Sequence, residues 1–177
     1  IPIGVGIGLS LKLEKTDNIS VVYFGDGATE QGVYYEALNF AALKSLPVLF
    51  VCENNRYSVY SAKAVRQPEG RSIAKVAETM GVPSSYFDGN DVSQVLNNCK
   101  SSVRDVRSGL GPRLIECDTY RWLEHCGPNE DDHLSYRPTK EVDLWFDKDP
   151  IKLLLETMNI SETETDSIRN SIKKEIN

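Results

Sequence analysis

Two short polar loops hold the residue types in this chain that could bind an ion together with its counter-ion. The first reads Gly25-Asp26-Gly27 and follows the apolar run Ile19-Ser20-Val21-Val22-Tyr23-Phe24. The second reads Asn54-Asn55-Arg56-Tyr57 and follows Pro47-Val48-Leu49-Phe50-Val51-Cys52. In open parallel sheets, ligands bind outside the carboxyl ends of the strands. Asp26 offers a hard anionic oxygen, Asn55 a neutral amide oxygen, and the Tyr57 main-chain carbonyl a third donor. Magnesium wants a near-octahedral set of oxygens and commonly completes it with phosphates and water. Gly25 and Gly27 would let the backbone approach a phosphate, and a helix starting after Ala28 would aim free N–H groups and its positive dipole end at it. Singly, Gly-Asp-Gly reads as a turn and Asn-Asn as a loop cap. Together, one βαβ unit apart, they favour a diphosphate held through a divalent cation.

The elements that must position these loops are legible in outline. Residues 1 to about 15 read as a helix in which Gly4, Gly8 and Ser10 permit close backbone packing. Ile19–Phe24 lacks polar alternation apart from Ser20, as in a strand covered on both faces. A helix from about Val33 to Lys44, with Val33, Tyr34, Leu38, Phe40, Ala41 and Ala42 on a broad apolar arc, leads to Pro47 and the second strand. Strand, helix, strand implies a parallel pair with a right-handed crossover. Arg71–Met80 reads as a helix and Val82–Asp88 as a strand. Asp91 can cap a helix over Val92–Arg107 that turns Val95, Leu96, Cys99, Val103 and Val106 inward. Arg113–Asp118 is a further strand. Thr119–Pro138, which holds both histidines, is long and irregular, and such loops are commonly functional. Helices over Thr139–Lys148 and Asp149–Met158 follow, and Ser161 and Glu164 stand at capping-box spacing. The fold class expected is α/β, a parallel sheet with helices on both faces. Residues 1–150 would form one domain and 151–177 a helical tail.

The composition narrows the partners. At 177 residues, with 40% hydrophobic and 26% charged residues, the chain suits one soluble domain. Its net charge of −6 and scattered Lys and Arg argue against nucleic acid or an anionic membrane as partner. Cys52, Cys99, Cys117 and Cys126 show no CxxC spacing, which suits reduced thiols in a cytoplasmic protein better than disulfides or zinc. The opening Ile1-Pro2-Ile3-Gly4-Val5-Gly6-Ile7-Gly8-Leu9 lacks an initiator Met and a basic leader, so an upstream segment is expected.

Longer words sharpen this. Gly25-Asp26-Gly27-Ala28-Thr29-Glu30-Gln31-Gly32, Glu36-Ala37-Leu38-Asn39-Phe40-Ala41-Ala42-Leu43, Cys52-Glu53-Asn54-Asn55-Arg56-Tyr57, and Gly111-Pro112 before a strand ending in Thr119-Tyr120-Arg121 resemble the alpha subunit of the thiamine diphosphate-dependent first component of 2-oxo acid dehydrogenase complexes, the pyruvate, branched-chain and acetoin type. The likeness covers about residues 1 to 150 and aligns Ile1 with a point well inside that subunit. It implies a thiamine diphosphate-binding fold with thiamine diphosphate and Mg2+ as cofactors. Asp26, Asn55 and the Tyr57 carbonyl would be the metal ligands, with Gly25, Gly27, Ala28 and His125 at the cofactor and His125 also catalytic. The activity implied is oxidative decarboxylation of a small 2-oxo acid with acyl transfer to a lipoyl acyltransferase partner. In such enzymes a beta subunit supplies the carboxylate that activates the aminopyrimidine, so this chain would be inert alone.

His133 has no family match and reads as surface. Ser135-Tyr136-Arg137 matches a family word that would order the loop. The pyruvate enzymes read His-Gly-His-Ser after Tyr-Arg-Tyr, where this chain has Arg121-Trp122-Leu123-Glu124-His125-Cys126, without the first His and the Ser, and then the acidic stretch Gly127-Pro128-Asn129-Glu130-Asp131-Asp132. Pyruvate as substrate and phosphorylation at that Ser are therefore not implied. A transketolase-like transferase or carboligase subunit, and a truncated non-catalytic assembly subunit, stay open as alternatives.

Overall fold

A computed structural model of the chain describes residues 1–176. α1 (Pro2–Glu14) begins on a proline, whose missing N–H is no loss in the first turn, and ends at Lys15 in the left-handed region (φ 54°). It lies across β1 (Ser20–Gly25) and β2 (Val48–Asn54). A Cβ on Gly4 would sit 2.3 Å from Val22 Cγ2, and one on Gly8 would sit 2.5 Å from Val48 Cγ2. The expected close approach is therefore real at both glycines. Ser10 has no part in it: it is exposed and bonds Glu14 at 2.7 Å.

α2 (Gly32–Leu43) carries the chain from β1 to β2 and buries a single stripe, Tyr34, Ala37, Leu38 and Ala41. Val33 and Phe40 fall off that stripe and are exposed, so the apolar arc is narrower than the sequence suggests. After β2 come the hairpin β3 (Tyr57–Ser58) and β4 (Ser61–Ala62), the single turn α3 (Lys63–Arg66) and α4 (Ile73–Thr79). β5 (Ser84–Asp88), α5 (Val92–Arg107) and β6 (Arg113–Asp118) then complete a four-stranded parallel sheet in the order β1-β2-β6-β5.

The register divides the core. Val48, Phe50, Cys52 and Leu114 join Val5, Tyr34, Leu38 and Ile73 under α1, α2 and α4. Leu49, Val51, Ile115, Cys117 and Phe87 face the other way, where Val95, Cys99 and Val103 of α5 cover them. Helices thus lie on both faces, as expected. α5 starts on the Asp91 carboxylate, which accepts from Ser93 and Gln94 N–H at 2.9 and 3.1 Å. Leu96 points outward and is 50% exposed, contrary to the sequence reading.

β1 also departs from it. Val21 and Tyr23 are exposed because β1 is the sheet edge, and one helix about 10 Å wide cannot cover four strands about 4.8 Å apart. Past β6, α6 (Thr139–Phe146) brings Val142 and Trp145 into a third cluster with Tyr57 and Tyr120. α7 (Pro150–Met158) and α8 (Glu162–Ile176) bury no residue. The capping box forms: Ser161 N–H donates to Glu164 Oε2 at 3.0 Å and Glu164 N–H to Ser161 Oγ at 3.3 Å. Among the described residues no helix is long and apolar enough to cross a membrane.

Candidate functional site

The carboxyl ends of β1, β2 and β6 meet at one rim of the sheet. Asp26 follows β1 there and is 1% exposed. Residues Asp26–Glu30 form a 3-10 turn, and α2 begins only at Gly32. The helix N-terminus expected just after Ala28 is thus displaced: Asp26 and Thr29 tighten the turn, with Thr29 Oγ1 donating to the Asp26 carbonyl at 2.7 Å. Arg66 reaches into the turn from α3. Its guanidinium pairs with Asp26 Oδ2 through one nitrogen and Glu30 Oε1 through another, while its Nε donates to the Ser61 carbonyl at 3.0 Å. Gln67 beside it donates to Glu30 Oε1 at 2.8 Å. Asp26 Oδ1 is buried and has no hydrogen-bond partner.

The flanking small residues divide their roles. A Cβ on Gly27 would lie 2.7 Å from Ser58 Oγ, so this glycine admits the β3–β4 hairpin. Gly25 is exposed, with no atom within 4 Å of where its Cβ would be. Ala28 is half-buried against the first core.

At the end of β2 the two asparagines differ. Asn54 is buried and donates through Nδ2 to Glu116 Oε1 at 2.7 Å, while Glu116 Oε2 accepts the Ala74 N–H at 2.9 Å. This buried carboxylate ties β2 and β6 to the start of α4, where the helix dipole favours it. Asn55 is half-buried, and its Oδ1 accepts the Tyr57 N–H at 3.0 Å, which leaves one lone pair on that oxygen. Arg56, in the left-handed region at φ 68°, forks onto Asp118 at 2.7 and 3.0 Å and lies 5.2 Å from the Trp145 ring centre. Tyr57 sits in the aromatic cluster, its hydroxyl pushed up to about 12 by burial and then by Glu141.

The long loop is organised by one cation. Arg137 is buried and pairs with Asp131 at 2.7 Å and Asp132 at 2.9 Å. It also donates to the Trp122 carbonyl at 2.6 Å and to the Arg121 carbonyl. Tyr136 donates its hydroxyl to Asp131 at 2.9 Å. Ser135-Tyr136-Arg137 thus orders the loop, chiefly through its last two members. His125 and Cys126 stand exposed on a turn of this loop, and His133 is exposed too. No hydrogen bond joins His125 to Asp26 or Asn55 among the described residues.

Between the hairpin, the start of α4 and the ends of β2 and β6 lies an open cleft of about 870 Å³, lined among others by Arg56, Lys63, Gln67, Arg71, Asp118 and Glu141. Asp26, Asn55 and His125 are not among its lining residues. Burial pushes the Cys117 thiol up to about 12 and raises that of Cys52 further. All four cysteines are free.

What this arrangement can do follows from its charge. Asp26, Glu30 and Arg66 sum to one negative charge, and that charge has an exit at Asp26 Oδ1. A buried acceptor with no donor is costly, on the order of 1–3 kcal/mol or more for a charged group, and a hard cation fits it. Reading the sequence alone missed Glu30, Arg66, Gln67 and Glu116. Glu116 had a signal, a lone carboxylate in the apolar run Leu114-Ile115-Glu116-Cys117. Arg66 had none, because only the fold brings α3 over the Asp26 turn.

Known proteins bear on this site. The model of the dehydrogenase E1 component family matches residues 1–177. The pyruvate dehydrogenase E1 component subunit alpha of Rickettsia bellii is 35% identical over 178 residues, 98% of this chain and 53% of the relative. The 2-oxoisovalerate dehydrogenase subunit alpha of Bacillus subtilis is 35% identical over 176 residues, 99% of this chain and 52% of the relative. The mitochondrial pyruvate dehydrogenase E1 component subunit alpha of Sminthopsis macroura is 36% identical over 188 residues, 99% and 48% respectively. The chain spans about half the length of these relatives.

Proposed function

The chain belongs to the dehydrogenase E1 component family, and on that premise we propose that it is the diphosphate-holding part of the alpha subunit of a 2-oxo acid dehydrogenase. The observation that carries the proposal is Asp26 Oδ1, a buried carboxylate oxygen without a partner at the end of β1. In this reading Asp26 Oδ1, Asn55 Oδ1 through its remaining lone pair, and the Tyr57 carbonyl hold Mg2+. Gly25, Gly27 and Ala28 run beside the diphosphate, with open space only at Gly25. Thiamine diphosphate, when bound, supplies the carbanion that adds to the keto carbon and the cationic ring that accepts electrons as carbon dioxide leaves.

The chain's own residues do the rest. Asp26 and Asn55 fix the metal end of the cofactor, and the hairpin β3–β4 closes over Gly27. The Arg137 network holds the loop that presents His125 to the reacting centre as acid or base. A beta subunit completes the cofactor site, and the lipoyl disulfide of an acyltransferase partner is the two-electron oxidant, its S–S bond breaking as one sulfur takes the acyl group and the other becomes a thiol. The substrate class is a 2-oxo acid, consistent with the pyruvate and 2-oxoisovalerate enzymes among the relatives.

The test is steady-state turnover of full-length subunit assembled with its beta partner at saturating cofactor. Asp26→Asn removes the negative charge that the Asp26–Glu30–Arg66 cluster leaves for the cation and should largely abolish turnover, and His125→Ala should lower it by orders of magnitude with assembly intact. Near wild-type rates in Asp26→Asn would refute the metal assignment.

A further inference from the structure

Asp26 keeps one carboxylate oxygen free because Arg66 holds the other. Resting on the functional reading above, we infer that Arg66 is a positioning residue of the metal site: it remains paired with Asp26 Oδ2 and Glu30 while the divalent cation takes Asp26 Oδ1. The opposite role is an arginine that occupies the carboxylate until a metal displaces it. Three observations favour positioning.

First, Arg66 leaves one oxygen of Asp26 untouched. Its two terminal nitrogens go to Asp26 Oδ2 and to Glu30 Oε1, not both to Asp26. A displaceable counter-ion would gain most by forking onto both oxygens of one carboxylate. Second, Glu30 supplies a charge that Asp26 then does not have to. With Glu30 balancing the guanidinium, the cluster retains one negative charge for the incoming cation, whereas Arg66 and Asp26 alone would be neutral. Third, Arg66 is anchored in place. Its side chain is 11% exposed, its Nε is held by the Ser61 carbonyl at 3.0 Å, and its neighbour Gln67 donates to Glu30 at 2.8 Å. A Cβ on Gly27 would lie 2.7 Å from Ser58 Oγ and 3.4 Å from an Arg66 guanidinium nitrogen, so the hairpin and the guanidinium both pack closely against the turn. Groups that orient a metal-binding carboxylate from behind typically set metal affinity by about 10–100-fold.

The decisive measurement is Mn2+ binding to the enzyme assembled from full-length subunits, in the presence of thiamine diphosphate, with free Mn2+ counted by electron paramagnetic resonance. Arg66→Met should raise the Mn2+ dissociation constant by about 10-fold or more. Glu30→Gln should weaken binding as well, because the guanidinium charge would then go unbalanced. Arg66→Lys should recover part of the loss, since it returns the charge without the fork. A displaced counter-ion gives the reverse sign: Arg66→Met would bind Mn2+ more tightly. Tighter or unchanged binding in Arg66→Met overturns the positioning role and leaves the functional reading standing. If Arg66→Met does not assemble, Arg66→Lys carries the same sign test: weaker Mn2+ binding than wild type supports positioning, and tighter or unchanged binding overturns it. Wild-type enzyme with no stoichiometric Mn2+ site would overturn the functional reading itself, and this inference with it.

Discussion

Replacing Arg137 by Met tests whether one buried cation holds the His125 loop. The side chain is 1% exposed and serves two carboxylates and two carbonyls, Asp131, Asp132, Arg121 and Trp122. It also lies 5.5 and 5.2 Å from the ring centres of Tyr120 and Tyr136. Methionine keeps much of the volume and none of the donors. Removing one partner of a buried ion pair costs about 3–5 kcal/mol, because the other charge is left uncompensated. Asp131 would keep the Tyr136 hydroxyl at 2.9 Å and Arg121 at 3.7 Å, which places the cost near the lower end, about 3 kcal/mol. The loop has only a three-residue 3-10 turn of its own, Asp132–Leu134, and contributes little to either sheet-facing core. The loss should therefore be local. Hydrogen exchange reads it directly: Leu134 and Ser135 amides, bonded to the Asp131 and Asp132 carbonyls at 3.0 Å, should exchange about 100-fold faster, since every 1.4 kcal/mol is about tenfold. Amides of Phe50 and Cys52 in β2 should not change. Unchanged exchange at Leu134 and Ser135, or an equal rise in β2, would show that Arg137 does not organise this loop.

Two further outcomes follow from packing and burial. In α1, Gly8→Ala drives a methyl to 2.5 Å from the rigid Val48 Cγ2, whereas Gly6 has nothing within 4 Å; overpacking of about 1–3 kcal/mol outweighs a helix-propensity gain of about 1 kcal/mol, so thermal unfolding should fall for Gly8→Ala, rise slightly for Gly6→Ala, and recover in Gly8→Ala with Val48→Ala. In the folded chain, Cys126 should alkylate first and Cys52 and Cys117 last, as counted by mass spectrometry under native conditions. The buried thiols also set an alkaline limit: the Cys117 thiol is raised from 9.0 to about 12, so its stabilising contribution is complete below pH 9 and is lost as pH rises toward 12, with the unfolded chain ionising first.

Much of this protein was readable from local pattern. Element boundaries follow from apolar runs, the Asp91 cap, the Ser161–Glu164 box and Pro47, all of which act over a few residues of chain. The close approach was legible at Gly4 and Gly8, where glycine lets a neighbouring side chain come near, but not at Ser10, which is exposed, nor at Gly6, which meets nothing within 4 Å. The family resemblance rests on words around Asp26 and Asn55, and the matched relatives belong to the family those words indicate. Where the pattern misled, the cause was position in the sheet. Val21, Tyr23 and Leu96 carry the residue types of a buried element, yet β1 is an edge and α5 turns only part of its apolar surface inward.

The sequence by itself determined the parallel α/β class, the two loops at strand ends and Asp26 as the carboxylate of the first loop. Tertiary structure alone decided that Arg66 and Glu30 would meet Asp26, that Asn54 rather than Asn55 would lock onto Glu116, and that Gly27 would serve the hairpin. These pairings join residues far apart in the chain, and nothing in local propensity or periodicity specifies which distant side chains share a buried space. That is set by strand order and by how the hairpin folds back, and it is there that Asp26 Oδ1 is left without a partner.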